Sequence, residues 1–172
     1  MHNASARHDF NNETLTEDEP LLRAAFIYNF SKFTHWPENS IKFQDNSLFL
    51  CISGKDELVY ALKQLENKKI KGRPVVIHSL KNEQDSVNCH VLYIASSEKK
   101  HYTNILKTIH GKPVLTISSI RKFSHSGGII ELFREKGKTR FIINLDVARQ
   151  SGLLISSRLL ILADVIVDEE IK

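Results

Sequence analysis

The stretch LFLCISGKDELVYALKQLENKKIKGRPVVIH, residues 48–78, reads as a strand, a helix and a second strand in succession. Leu48 to Ile52 is a short apolar run of the kind that fills a strand buried on both faces. Gly54 ends it, and Leu58, Leu62 and Leu65 then recur at helical spacing. Arg73 to His78 is rich in β-branched residues, and Pro74 stands at its beginning, where a missing ladder donor is tolerated.

The same alternation continues downstream. A polar loop, Lys81 to Asn88, leads to a third strand, Cys89 to Ile94. Tyr102, Ile105, Leu106 and Ile109 line a second helix, for which Gly111 is a left-handed cap, and Pro113 to Ile117 is a fourth strand. The pattern then changes. Gly127-Gly128 opens Ile129 to Arg134, and Glu135 to Lys138 turns into Thr139 to Asn144, which is a hairpin signal. Two short helices close the chain, Asp146 to Gln150 and then Ser157 onward with Leu159, Leu160, Ala163 and Ile166 on one face. Strand–helix units followed by a hairpin predict an α/β fold: a mixed, mostly parallel sheet with a C-terminal antiparallel hairpin and helices covering both faces.

Upstream, Glu19-Pro20 suits a helix start, since proline costs nothing in a first turn. Leu22, Phe26, Phe30 and Phe33 recur at helical spacing with Ala25 and Asn29 between them, and Trp36-Pro37 is expected to end the segment. Aromatics on both sides of this helical wheel admit either a core stripe or a partly exposed interaction face. Residues 1–17 show no periodicity and read as a disordered tail, leaving 18–172 as one domain.

Composition bounds the function. Hydrophobic residues at 41% and charged residues at 26% are ordinary for a soluble globular protein. No apolar run is long enough to span a bilayer. The first twenty residues lack the apolar centre of a leader, which fits a cytoplasmic protein and a mature exported one alike. The net charge of +4 is uneven: residues 1–20 carry one arginine, Arg7, against Asp9, Glu13, Glu17, Asp18 and Glu19, so the body is basic. Its lysines are dispersed, and the aromatic helix carries only Arg23 and Lys32, so no nucleic-acid surface is expected. Cys51 and Cys89 are compatible with one disulfide or with two buried thiols, and they have no zinc-ligand spacing with the histidines.

Catalytic signals are weak. The turn after the first strand, Ser53-Gly54-Lys55-Asp56, has a single glycine where a phosphate cradle needs several, and Asp56 and Glu57 oppose an anion there. There is no nucleophile elbow, and His90 alternates to the opposite face from Cys89 if both lie in one strand. No enzyme activity, cofactor or metal is expected.

An ordered series of short segments resembles the YfiR-like family of periplasmic regulators across nearly all of residues 21–167. They are Arg23 to Phe33 with Trp36-Pro37, Leu50 to Gly54, Gly72 to Pro74, Cys89 to Ile94, Gly111 to Thr116, Gly127 to Ile130, Arg140 to Asn144 and Gly152 to Leu160. The resemblance implies an exported protein, its signal peptide already removed, with an α/β fold able to form a homodimer. It implies a non-enzymatic role: binding and repressing the periplasmic sensor domain of a membrane diguanylate cyclase, which lowers cyclic di-GMP. A histidine kinase is a second kind of membrane partner, and a module sensing a small molecule or cell-wall fragment is the alternative function. The family pattern pairs Cys51 with Cys89, which makes the first and third strands neighbours, in the order two-one-three. The short Lys81–Asn88 connection then has to cross the sheet. Tyr28 and Trp36, as amphipathic anchors, and Arg140 and Arg158, as planar forks for carboxylate, are the candidate partner- or ligand-binding residues.

Overall fold

The computed structural model describes residues 19–38 and 46–168. The expected tail, residues 1–17, lies outside them. The chain begins with helix α1 (Glu19–Lys32) and the two-residue strand β1 (Thr34–His35), followed by β2 (Leu48–Ser53), α2 (Glu57–Lys63), β3 (Lys69–Ile70) and β4 (Arg73–Ser79). After a 3-10 turn (Glu83–Asn88) come β5 (Val91–Ile94), α3 (Tyr102–Thr108) and β6 (Leu115–Ser118). The hairpin β7 (Ile130–Glu135) and β8 (Lys138–Asn144) leads to α4 (Leu145–Gln150), β9 (Leu154–Ile155), α5 (Ser157–Leu160) and β10 (Val165–Val167).

Among the described residues these strands form an eight-stranded sheet in the order β10-β8-β7-β6-β5-β2-β4-β3, and β1 pairs separately with β9. The central pairs β4-β2-β5-β6-β7 are parallel, whereas β7–β8 and β3–β4 are antiparallel. The two-one-three order of the first three long strands is present. The chain crosses β2 from β4 to β5 by way of the 3-10 turn, tied down by Leu80 N–H to Ile52 O at 2.8 Å and His90 N–H to Phe49 O at 3.0 Å.

Alternation along the strands builds two cores, because successive side chains point to opposite faces. Leu50, Ile52, Tyr93, Leu115 and Ile117 pack with α1 and α2 on one face. Cys51, Leu92 and Ile94 pack with Ile105 and Leu106 of α3 and with Ile109 at its C-terminal cap on the other. Helices therefore cover both faces.

Several local expectations are corrected. Helix α1 buries Ala24, Ile27, Phe30 and Ser31, while Leu22 and Ala25 are exposed and Phe26 and Phe33 only half-buried. Small residues beside Ile27 let the helix approach the sheet, and Phe30 and Phe26 meet Phe141 at ring distances of 4.8 and 6.0 Å. The helix stops at Lys32, before Trp36-Pro37. Thr34 Oγ1 donates to Phe30 O at 2.7 Å, an alternative to the helical ladder, and Thr34 and His35 pair with β9 instead. Cys89 ends the 3-10 turn and strand β5 begins at Val91, so the single-strand alternation expected for Cys89 and His90 does not apply. Finally, the helix from Ser157 ends at Leu160, and Ile166 lies in β10 rather than on a helical face.

Candidate partner-binding surfaces

In a parallel sheet of this kind, ligands sit beyond the carboxyl ends of the strands where the winding reverses, here between β2 and β5. The protein's own groups fill that point. Asp56 caps α2 by accepting from Leu58 N–H at 2.9 Å, and its second oxygen accepts from Ser96 N–H at 2.9 Å and Tyr93 O–H at 2.8 Å. Burial first, then the Asp56 charge and hydrogen bond, raise the Tyr93 phenol well above its ordinary range. Gly54, at φ +86°, packs so closely on the following turn that a Cβ there would meet Ser97 Oγ at 2.4 Å. A carboxylate thus holds the place where a phosphate would bind a helix N-terminus.

Cys51 of β2 and Cys89, at the end of the 3-10 turn, form a disulfide with Cα atoms 5.9 Å apart and a sequence separation of 38. Beside it, His90 is buried, and its Nδ1 accepts from Phe49 N–H at 2.9 Å. Its ring stacks on Phe49 at 5.9 Å and meets the Trp36 edge at 6.0 Å. Burial, then the nearby Arg73 charge, push its pKa down to about 3. This imidazole is a neutral packing and hydrogen-bonding group.

The four candidate contact residues fall in three places. Tyr28 and Trp36 come together at the β3–β4 turn. The Tyr28 hydroxyl donates to Lys69 O at 2.7 Å, and Trp36 Nε1 donates to His90 O at 3.0 Å. Lys71 lies 5.6 Å from the centre of the Trp36 ring, with its ammonium on Thr34 O and 3.1 Å from His35 Nδ1. Burial and Arg73 lower the pKa of that ammonium. Both aromatic side chains are half-buried and hold the turn in place. Arg158 is exposed on α5, two residues past Ser156, whose N–H donates to Phe33 O at 2.9 Å. Arg158 and Trp36 therefore flank the same β1–β9 ribbon. Arg140 lies elsewhere, on β8, bound to Glu135 and to Asp164 at 2.9 Å.

Sequence reasoning missed two features. Ile161 and Leu162, just ahead of β10, are 81% and 64% exposed, and Val165 and Ile166 of β10, an edge of the sheet, are exposed as well. The β-branched run Val165-Ile166-Val167 was its signal. The second is a cleft of about 640 Å³ at the carboxyl ends of β6 and β7, lined by Arg23, Arg121, Arg134, Leu132, Phe133 and Ile142. Its three arginines come from separate elements, so no local motif announces it.

Residues 21–164 match the family model described as YfiR/HmsC-like. No curated protein sequence matches the chain. Two solved structures share the fold. One is a conserved domain protein from Vibrio cholerae O1 biovar El Tor str. N16961, at TM-score 0.54 and 14% identity over 70% of this chain. The other is the ABC domain in complex with L-Trp from Streptococcus pneumonia, at TM-score 0.50 and 8% identity over 70% of this chain. The chain spans 55% of the length of each.

Proposed function

The chain belongs to the YfiR/HmsC-like family, which implies periplasmic regulation of cyclic di-GMP signalling, and from that premise we propose that it binds and represses the periplasmic sensor domain of a membrane diguanylate cyclase. In this reading residues 18–172 act as one exported, non-catalytic domain that works by contact. The observation that carries it is the run of exposed apolar side chains, Ile161, Leu162, Val165 and Ile166, at a sheet edge that no other described strand pairs with. Exposed apolar side chains grouped in one segment favour a protein contact, and an edge strand is a template for another chain. Trp36 and Arg158 extend the contact along the β1–β9 ribbon, with Tyr28 beneath the neighbouring turn and Arg140 at the far rim.

The Cys51–Cys89 disulfide supports the compartment, because such bonds persist in oxidising surroundings. No helix among the described residues is long and apolar enough to cross a membrane. The deciding experiment mixes the full chain with the solubilised cyclase and measures both recovery of the complex and cyclic di-GMP synthesis. A stoichiometric complex with reduced synthesis is expected. Unchanged synthesis with no complex would overturn the reading.

A further inference from the structure

The cleft beside β7 exists because two neighbouring strands differ in length. β6 stops at Ser118, opposite Glu131, while β7 runs on to Glu135. The β7–β8 turn has two residues, Lys136 at φ +51° and Gly137 at φ +76°, which makes Glu135 and Lys138 a hydrogen-bonded pair. Alternation from that pair sends the backbone N–H and C=O of Arg134 away from β8, toward the vacant side. Phe141 confirms the phase: its N–H and C=O also face away from β7 and are taken by Asp164 at 3.1 and 3.0 Å. Among the described residues, no strand lies beside Arg134 on its open side.

Charge says what would fill the notch. The Glu19 carboxylate sits between two of the three guanidiniums, bound by Arg23 and by Arg134 at 2.6 Å. Arg23 also meets Glu57 at 3.4 Å, so the chain already places carboxylates on this rim. Arg121 is exposed and makes no ion pair with a described residue. Two acids also line the cleft, and both have partners of their own: Glu131 accepts from Ser124 N–H and Oγ at 2.9 and 3.0 Å, and Glu135 holds Arg140. Leu132, Phe133 and Ile142 supply the apolar wall.

We infer that this cleft receives an extended acidic segment of a partner protein, laid as an added strand on the free edge of β7 at Arg134, with a carboxylate on Arg121. Backbone pairing supplies affinity and alternate side chains supply selectivity in such strand addition. The inference rests on the regulator reading for the partner's origin only; the binding chemistry belongs to this chain.

The test is fluorescence anisotropy of the full chain with a fluorescein-labelled hexapeptide alternating glutamate and valine. Saturable binding is expected, weakened about ten-fold by Arg121→Glu, the size of one lost charge-assisted contact. Arg134→Pro removes the N–H on the open side and no bond to β8, so it must bind more weakly than Arg134→Ala. A hexapeptide N-methylated on the edge that meets β7 must also lose affinity for the unmodified chain, a readout that requires no variant to fold. Equal binding of a lysine–valine peptide, indifference to N-methylation, or displacement by glutarate or inorganic phosphate with Arg134→Pro and Arg134→Ala alike would overturn strand addition. Loss of cyclase binding with the peptide still bound would count against the regulator reading alone.

Discussion

His90 shows how one side chain ties stability to pH. Its folded pKa, about 3, lies below the ordinary 6.5, so the unfolded chain binds the extra proton first as pH falls. The neutral imidazole therefore contributes stability that is complete above pH 6.5 and is lost progressively toward pH 3. Unfolding free energy should drop with a slope approaching about 1.4 kcal/mol per pH unit between pH 6 and 4. His90→Asn keeps an acceptor for Phe49 N–H without the titration, and urea melts across that range should flatten; an unchanged slope would assign the pH dependence to other groups. Gly128 makes a steric prediction. A Cβ there would lie 2.2 Å from the ring of Phe123, which is fully buried and has nowhere to go. Gly111, at φ +75°, has open space around its missing Cβ. Gly128→Ala should therefore cost about 1–3 kcal/mol by overpacking, and Gly111→Ala only about 1 kcal/mol of left-handed strain. Equal urea midpoints for the two variants would contradict the packing account.

At the scale of elements, the disulfide fastens β2 to the start of β5 across the short crossing from β4. Closing that loop removes unfolded-chain entropy worth up to about 4 kcal/mol. Reduction, or the double change Cys51→Ala and Cys89→Ala, should lower the urea midpoint accordingly, and a midpoint that does not move would show the crossing to be secured by packing alone. The crossing also explains what could be read from sequence. The strands at 48–52 and 73–78 and the hairpin at 129–144 were legible because buried parallel strands are continuous apolar runs and a two-residue turn with glycine is a local signal. The C-terminal segment was not, because Leu159, Leu160, Ala163 and Ile166 fit helical spacing while Asp164 carries the decisive interaction. Its carboxylate takes the Phe141 N–H and its own N–H binds Phe141 O, which breaks the helix and starts β10. That is a tertiary contact, with no trace in local periodicity. Trp36 and Tyr28 were recognised as amphipathic residues, but their meeting at the β3–β4 turn depends on sheet order, and so does the convergence of Arg23, Arg121 and Arg134.

For the whole molecule, the question is which surface is left for a partner once the fold has used its apolar residues. The two cores take nearly every large apolar side chain of the strands, and the carboxyl-end crevice is closed by Asp56. Ile161 and Leu162 contribute little to either core, so replacing them should barely affect folding. Ile161→Glu with Leu162→Glu should shift the unfolding free energy by no more than about 0.5 kcal/mol per site. If this edge makes the proposed contact, the same pair should abolish the proposed cyclase complex, because a buried, unpaired charge in an interface costs several kcal/mol. Sedimentation of the unmodified chain and the variant separates the two uses of this edge. A dimer that becomes a monomer, with repression of the cyclase intact, would assign β10 to self-association. Loss of repression at constant mass would assign it to the partner. A fall in stability of more than about 2 kcal/mol would mean that these side chains support the fold and that the contact surface lies elsewhere.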